Sequence, residues 1–192
     1  GSVLVYMIPL GVLSAIPMLG YNAEMTYLPQ LAEELGLEYL TTLTAAAAIS
    51  CVVVLVSGML CDIMSPYIVL TIMLILNGAG LYMMGSATST AALSAGIWMY
   101  YLGRSQFQQF TVIGMKCVSK SQQGAWQGTM NLCKDFLTMF WGGLLGSLIV
   151  NNSYAFTFKV CGIISLVTIV LVWVSKILIL DKFTKRATEN NA

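Results

Sequence analysis

Long apolar runs alternate along the chain with short polar interruptions, and the runs have the length of a bilayer. A helix rises about 1.5 Å per residue and the hydrocarbon layer is about 30 Å thick, so a crossing needs about 20 apolar residues. Six stretches meet that requirement, over residues 3–28, 41–61, 67–86, 90–115, 125–150 and 154–180. The connections are short. The first begins at Pro29 and continues as an acidic amphipathic stretch over 30–38; the others cover 62–66, 87–89, 116–124 and 151–153. Beyond Leu180 the chain turns polar, with Asp181, Lys182, Lys185, Arg186 and Glu189. The pattern predicts a six-helix transmembrane bundle over 1–180 and a polar tail over 181–192. Gly1 and Ser2 run straight into the first apolar stretch, as expected of a piece of a longer protein.

Composition sharpens this picture. Hydrophobic residues make up 58% and charged residues 9%, where a soluble domain carries roughly 25% charged. Mean hydropathy is +0.82. Most of such a surface has lipid for its solvent. A net charge of +1 excludes the clustered basic surface that nucleic acids require. The chain contains no histidine, which removes histidine-held zinc or haem and Ser–His or Cys–His nucleophiles. Paired carboxylates on one helix and a glycine-rich phosphate loop are absent too, and so are the Asn-Pro-Ala and Thr-Val-Gly-Tyr-Gly motifs of channels. No enzymatic activity, cofactor or metal is expected. The five cysteines, Cys51, Cys61, Cys117, Cys133 and Cys161, form no C-x-x-C and read as small buried apolar residues.

Charge position sets an expected orientation. Lys116, Lys120, Lys176, Lys182, Lys185 and Arg186 fall on one side of a six-pass bundle. Glu24, Glu33, Glu34 and Glu38 fall on the other, whose loops hold no Lys or Arg. The positive-inside rule then places both termini in the cytoplasm.

Small-residue patches at Gly142, Gly143 and Gly146, at Ala45–48 and at Gly78, Ala79 and Gly80 are expected to let helices approach closely. Pro9 and Pro17 should kink the first helix, as a static bend or as a hinge. Trp98, Trp126, Trp141 and Trp173 read as interface anchors or packing, and Lys159 as snorkelling to the interface.

A charge at bilayer depth costs about 2.5–3.5 kcal/mol even on insertion scales, so it faces a partner or a cavity. Arg104 is one such charge. Tyr100, Tyr101, Gln108 and Thr111 share its helical face, and it either pairs with Asp135 or Glu24 or contacts a ligand through its guanidinium fork. Lys134 and Asp135 lie mid-way along the fifth stretch with Gln127, Asn131, Thr138 and Gly142 on the same face. They form either a buried network between helices or a lining for a substrate or proton path. Glu24, beside Tyr21 and Asn22, is either a solvated helix end or a proton- or cation-binding carboxylate.

At the second connection the chain reads Gly58-Met59-Leu60-Cys61-Asp62-Ile63-Met64-Ser65-Pro66. This resembles the Gly-x-Leu-x-Asp-x-x-Gly-Arg signature that joins the second and third helices of a half in the major facilitator superfamily. Gly58, Leu60 and Asp62 match; Ser65 replaces the glycine, and the basic positions are lost. Arg104 in the fourth stretch, and Gln122, Gln123, Gly124 and Gly128 at the entry to the fifth, agree with the same layout. The resemblance implies an all-α half of an MFS-like fold, with the C-terminal half favoured, working by alternating access against a second six-helix half or a homodimer mate. It further implies a gating role for Gly58 and Asp62. A small polar or anionic organic solute is expected to meet Tyr101, Arg104, Gln108, Asn131, Lys134 and Asp135, with Glu24 or Asp135 as proton-coupling groups. A non-transporting structural subunit that retains the fold is the alternative.

Overall fold

The computed structural model describes residues 2–180, so the predicted polar tail lies outside the described residues. Within that span the chain is helical, with no strand. Eight α-helices follow in order: α1 (Ser2–Ala15), α2 (Met18–Leu35), α3 (Leu40–Ile63), α4 (Pro66–Gly85), α5 (Thr90–Leu102), α6 (Gln106–Cys117), α7 (Gln123–Asn151) and α8 (Tyr154–Ser175). A 3₁₀ turn at Lys120–Gln122 leads into α7 and a π turn at Lys176–Leu180 extends α8. Four helical segments, Leu40–Ile63, Pro66–Gly85, Lys120–Asn151 and Tyr154–Leu178, are long and apolar enough to cross a membrane.

Four of the predicted stretches therefore appear as continuous helices, and two do not. The stretch 3–28 is interrupted at Ile16-Pro17, where α1 ends and α2 begins. Pro17 has no N–H to donate, and the chain closes the gap with short-range bonds from Leu19 N to Ile16 O and from Gly20 N to Pro17 O, both 3.1 Å. The indole Nε1 of Trp141 donates to the Ala15 carbonyl at 3.1 Å, so a neighbouring helix satisfies a carbonyl that the break frees. The expected stop at Pro29 does not occur. Proline inside a helix removes one bond and need not end it, and α2 runs through Pro29 and most of the acidic stretch to Leu35. It stops at Gly36, whose φ of 64° no other residue type adopts as cheaply. There Gly36 N and Leu37 N donate to Glu33 O and Ala32 O, the hydrogen-bond pattern of a left-handed glycine cap.

The stretch 90–115 is likewise divided, at residues 103–105, with no proline to announce it. Gly103 rests on the backbone of α4: a Cβ there would run into Asn77 N and Met73 O. The side-chain amide of Gln106, oriented to match its surroundings, donates to the carbonyls of Gly103 and Arg104. The second break is thus closed by a side chain from its own helix.

Two buried clusters sit at opposite ends of the bundle. One joins Leu19, Leu28 and Leu31 of α2 to Leu81 and Met84 of α4, Leu93 and Ile97 of α5, Leu145 of α7 and Phe158 of α8. The other joins Met7 and Leu10 of α1 to Leu70 and Leu74 of α4, Phe110 and Ile113 of α6, Trp126 and Met130 of α7 and Val172 of α8. So α1 and α6 pack at one end of α4, α7 and α8, while α2 and α5 pack at the other. Helix α4 is the centre of the bundle, packed chiefly on α8 and α5.

Glycines make those close approaches. A Cβ on Gly78 would meet Gly162 O at 2.8 Å, and one on Gly80 would strike Tyr100 N and Gly96 O. The predicted patch on α7 behaves otherwise. Nothing lies within 4 Å of a Cβ at Gly142, Gly143 or Gly146, so these glycines pack no neighbour within the described chain. In the alanine run of α3, Ala46 is buried and Ala45 and Ala48 are exposed. Cys61, Cys117, Cys133 and Cys161 are buried as expected; Cys51 is exposed, and no disulfide joins any of the five.

Candidate functional site

The two breaks open onto one cleft. Met18 and Tyr21 from the start of α2, Ser50 and Val54 from α3, Arg104, Gln106, Phe107 and Gln108 from the α5–α6 break, and Lys134 from α7 enclose about 210 Å³. Because both breaks lie in the interior of their apolar stretches, the cleft sits between the two buried clusters.

Arg104 is held by aromatic rings. Its Cζ lies 4.9 Å from the ring centroid of Tyr21 and 4.9 Å from that of Tyr101, a cation–π arrangement, and Nη2 approaches Met25 Sδ at 3.8 Å. No carboxylate lies within ion-pair distance of it among the described residues. Lys134 reaches the same cleft, with Nζ 5.0 Å from the Phe107 ring centroid and 3.4 Å from Asp135 Oδ1. Asp135 itself points outward, with 72% of its side chain exposed. The predicted pairing of Arg104 with Asp135 is therefore not formed.

Glu24 is no solvated helix end: it is 3% exposed. Its carboxylate accepts hydrogen bonds from Tyr101 Oη at 2.7 Å and Tyr100 Oη at 3.5 Å. Two phenol donors thus hold it on the α2–α5 side of the cleft. Tyr101 consequently serves two groups, donating to Glu24 through its hydroxyl and offering its ring to Arg104.

The other predicted residues divide. Gln108 is exposed and lines the cleft. Asn131 is half-buried, one turn before Lys134, and does not line it. Gly58 and Asp62 lie at the far end of α3 and are exposed, with open space over Gly58. The single polar face expected on the fourth stretch does not survive the break: Tyr101 turns into the core, Gln108 into the cleft, and Thr111 Oγ1 bonds the Phe107 carbonyl at 3.2 Å. Ser50, Gln106 and Phe107 escaped the sequence reading. Gln106 carried a signal, as the glutamine that closes the polar run Arg104-Ser105-Gln106 after Gly103 inside an apolar stretch. Ser50 and Phe107 carried none, since they reach the cleft only by the way the helices pack.

Comparison with known proteins gives no match: no family model, no curated protein and no solved structure is similar to this chain.

Two buried polar links lie beside the site. Gln109 of α6 donates from Nε2 to Ser57 Oγ at 3.0 Å and accepts from Cys61 Sγ, tying α6 to α3. Ser165 of α8 donates to Asn77 Oδ1 of α4 at 3.0 Å. Such links fix the register of the helices they join, because a buried polar group left without its partner is costly.

Proposed function

We propose that the chain is one six-pass half of a secondary transporter of the major facilitator type, moving a small polar or anionic organic solute by alternating access. The observation that carries this reading is the cleft on which two interrupted helices open, with Arg104 and Lys134 turned into it. Helices broken at the level of the binding site are a recurrent device of transporters, because irregular backbone at membrane depth persists only where protein or a cavity receives it. In this reading α1 with α2, and α5 with α6, each make one crossing, and the four long helices bring the number to six. The Gly58, Leu60 and Asp62 positions lend the family reading further support.

The structural-subunit alternative requires Arg104, Lys134 and Asp135 to pair with one another in a dry core. Arg104 has no such pair, and Asp135 is turned outward, which favours transport. The second half would cover the exposed apolar surfaces of α3 and α7, where Leu55, Met59, Leu132 and Met139 are each more than 60% exposed. The mass of the purified native assembly in a lipid nanodisc tests the reading. A second six-pass unit travelling with this chain is the expected result, and a complex with unrelated subunits alone overturns it.

A further inference from the structure

We propose that the cleft between the two breaks is a carboxylate site, and that its solute is a small organic anion with an apolar body. This deepens the transporter reading and rests on it for the solute's passage, though not for its binding. Two cations, Arg104 and Lys134, line the cleft, and no carboxylate does among the described residues. The groups facing them are Glu24 and Asp135. Glu24 is engaged by the hydroxyls of Tyr101 and Tyr100 and lies beyond ion-pair distance of Arg104. Asp135 holds Lys134 from the exposed side at 3.4 Å. Arg104 therefore enters the cleft as a half-buried guanidinium with no carboxylate in contact among the described residues, Glu24 acting on it only through space, a costly arrangement at membrane depth unless an anion visits. Guanidinium donors match a carboxylate in paired N–H···O geometry, which an ammonium does not reproduce.

Two further features favour negative charge. The first residues of α2 and of α6, Met18 and Gln106, both line the cleft, so the positive ends of two helix dipoles turn toward it. Neither start carries a side-chain cap. Met18, Val54 and Phe107 add apolar surface to the cleft, which fits the body of the solute.

The test uses benzoate, benzamide and benzylamine, three probes with one ring and different charge, titrated calorimetrically against the full chain in phosphatidylcholine nanodiscs. Benzoate is expected to bind at least about tenfold more tightly than benzamide, the worth of a hydrogen-bonded charge pair, and benzylamine more weakly still. Arg104→Gln and Lys134→Gln should each weaken benzoate about tenfold. Arg104→Lys should recover only part of the loss, and Asp135→Asn should tighten binding by freeing Lys134. Benzamide or benzylamine binding as well as benzoate, no benzoate binding at all, or an unchanged benzoate affinity in the Lys134→Gln variant overturns the proposal even if Arg104→Gln fails to fold. Phosphatidylglycerol added to the discs should not displace benzoate; displacement assigns the site to a lipid headgroup and overturns a soluble solute. Flux into proteoliposomes separates the two readings. Benzoate binding without flux keeps the carboxylate site and removes transport, whereas flux of benzamide or benzylamine with no preference for benzoate keeps transport and removes the site.

Discussion

At the scale of single residues, the chemistry is set by which polar groups find partners inside an apolar bundle. Glu24 and Tyr101 lie 77 positions apart and meet at 2.7 Å. The sequence left Glu24 open between a solvated helix end and a proton- or cation-binding carboxylate; that Tyr101 holds it was not visible, because the meeting depends on how the bundle sets α2 beside α5. Tyr101→Phe keeps the ring beside Arg104 and removes the donor, leaving a buried carboxylate short of a hydrogen bond. It should destabilise the fold by about 1–3 kcal/mol, read as a lowered melting temperature in nanodiscs. Trp141→Phe removes the indole donor to Ala15 O at the first break and part of a ring packed against the buried cluster, and it should likewise cost about 1–3 kcal/mol in the same measurement.

Helices end where the backbone can no longer bond to itself, and the two breaks reach that point differently. Pro17 carries its reason in its own ring, so the interruption of the first stretch was legible as a kink. Gly103 carries none. Glycine is tolerated within a helix at about 1 kcal/mol relative to alanine, and only the backbone of α4 pressing on it explains why it stands there. The same distinction sorts the remaining glycines. Gly103→Val should destabilise by about 1–3 kcal/mol or more, since the atoms it meets are main chain and cannot give way. Gly143→Val, facing open space, should stay within about 0.5 kcal/mol of the parent in an assay of this chain alone. Equal losses from the two substitutions would refute the packing account of the second break.

The whole molecule adds a question of passage: whether α5 and α6 together take the chain across the membrane. If they do, the loop after α2 and the loop after α6 are separated by three crossings, and they face opposite sides. Glu38 and Ser121 are exposed in those loops. In a background with Cys51, the one exposed native thiol, replaced by serine, Glu38→Cys and Ser121→Cys should label from opposite faces of a proteoliposome with an impermeant maleimide. Labelling from the same face would show that α5 and α6 turn back, and would remove the six-pass reading.

What the sequence determined by itself was where the apolar helices lie and which charges interrupt them. Hydropathy is a local property, so six apolar stretches, four of them continuous long helices here, could be read directly, and so could the charges at Arg104, Lys134 and Glu24 that a bilayer does not tolerate unattended. Tertiary structure decided who attends them. It brought Arg104 and Lys134 to one cleft, sent Asp135 outward, gave Glu24 to two tyrosines and made Gly103 rather than any proline the site of the second break. Those outcomes depend on which backbones approach closely and which side chains then fit between them, and such approaches relate residues that the one-dimensional pattern keeps far apart.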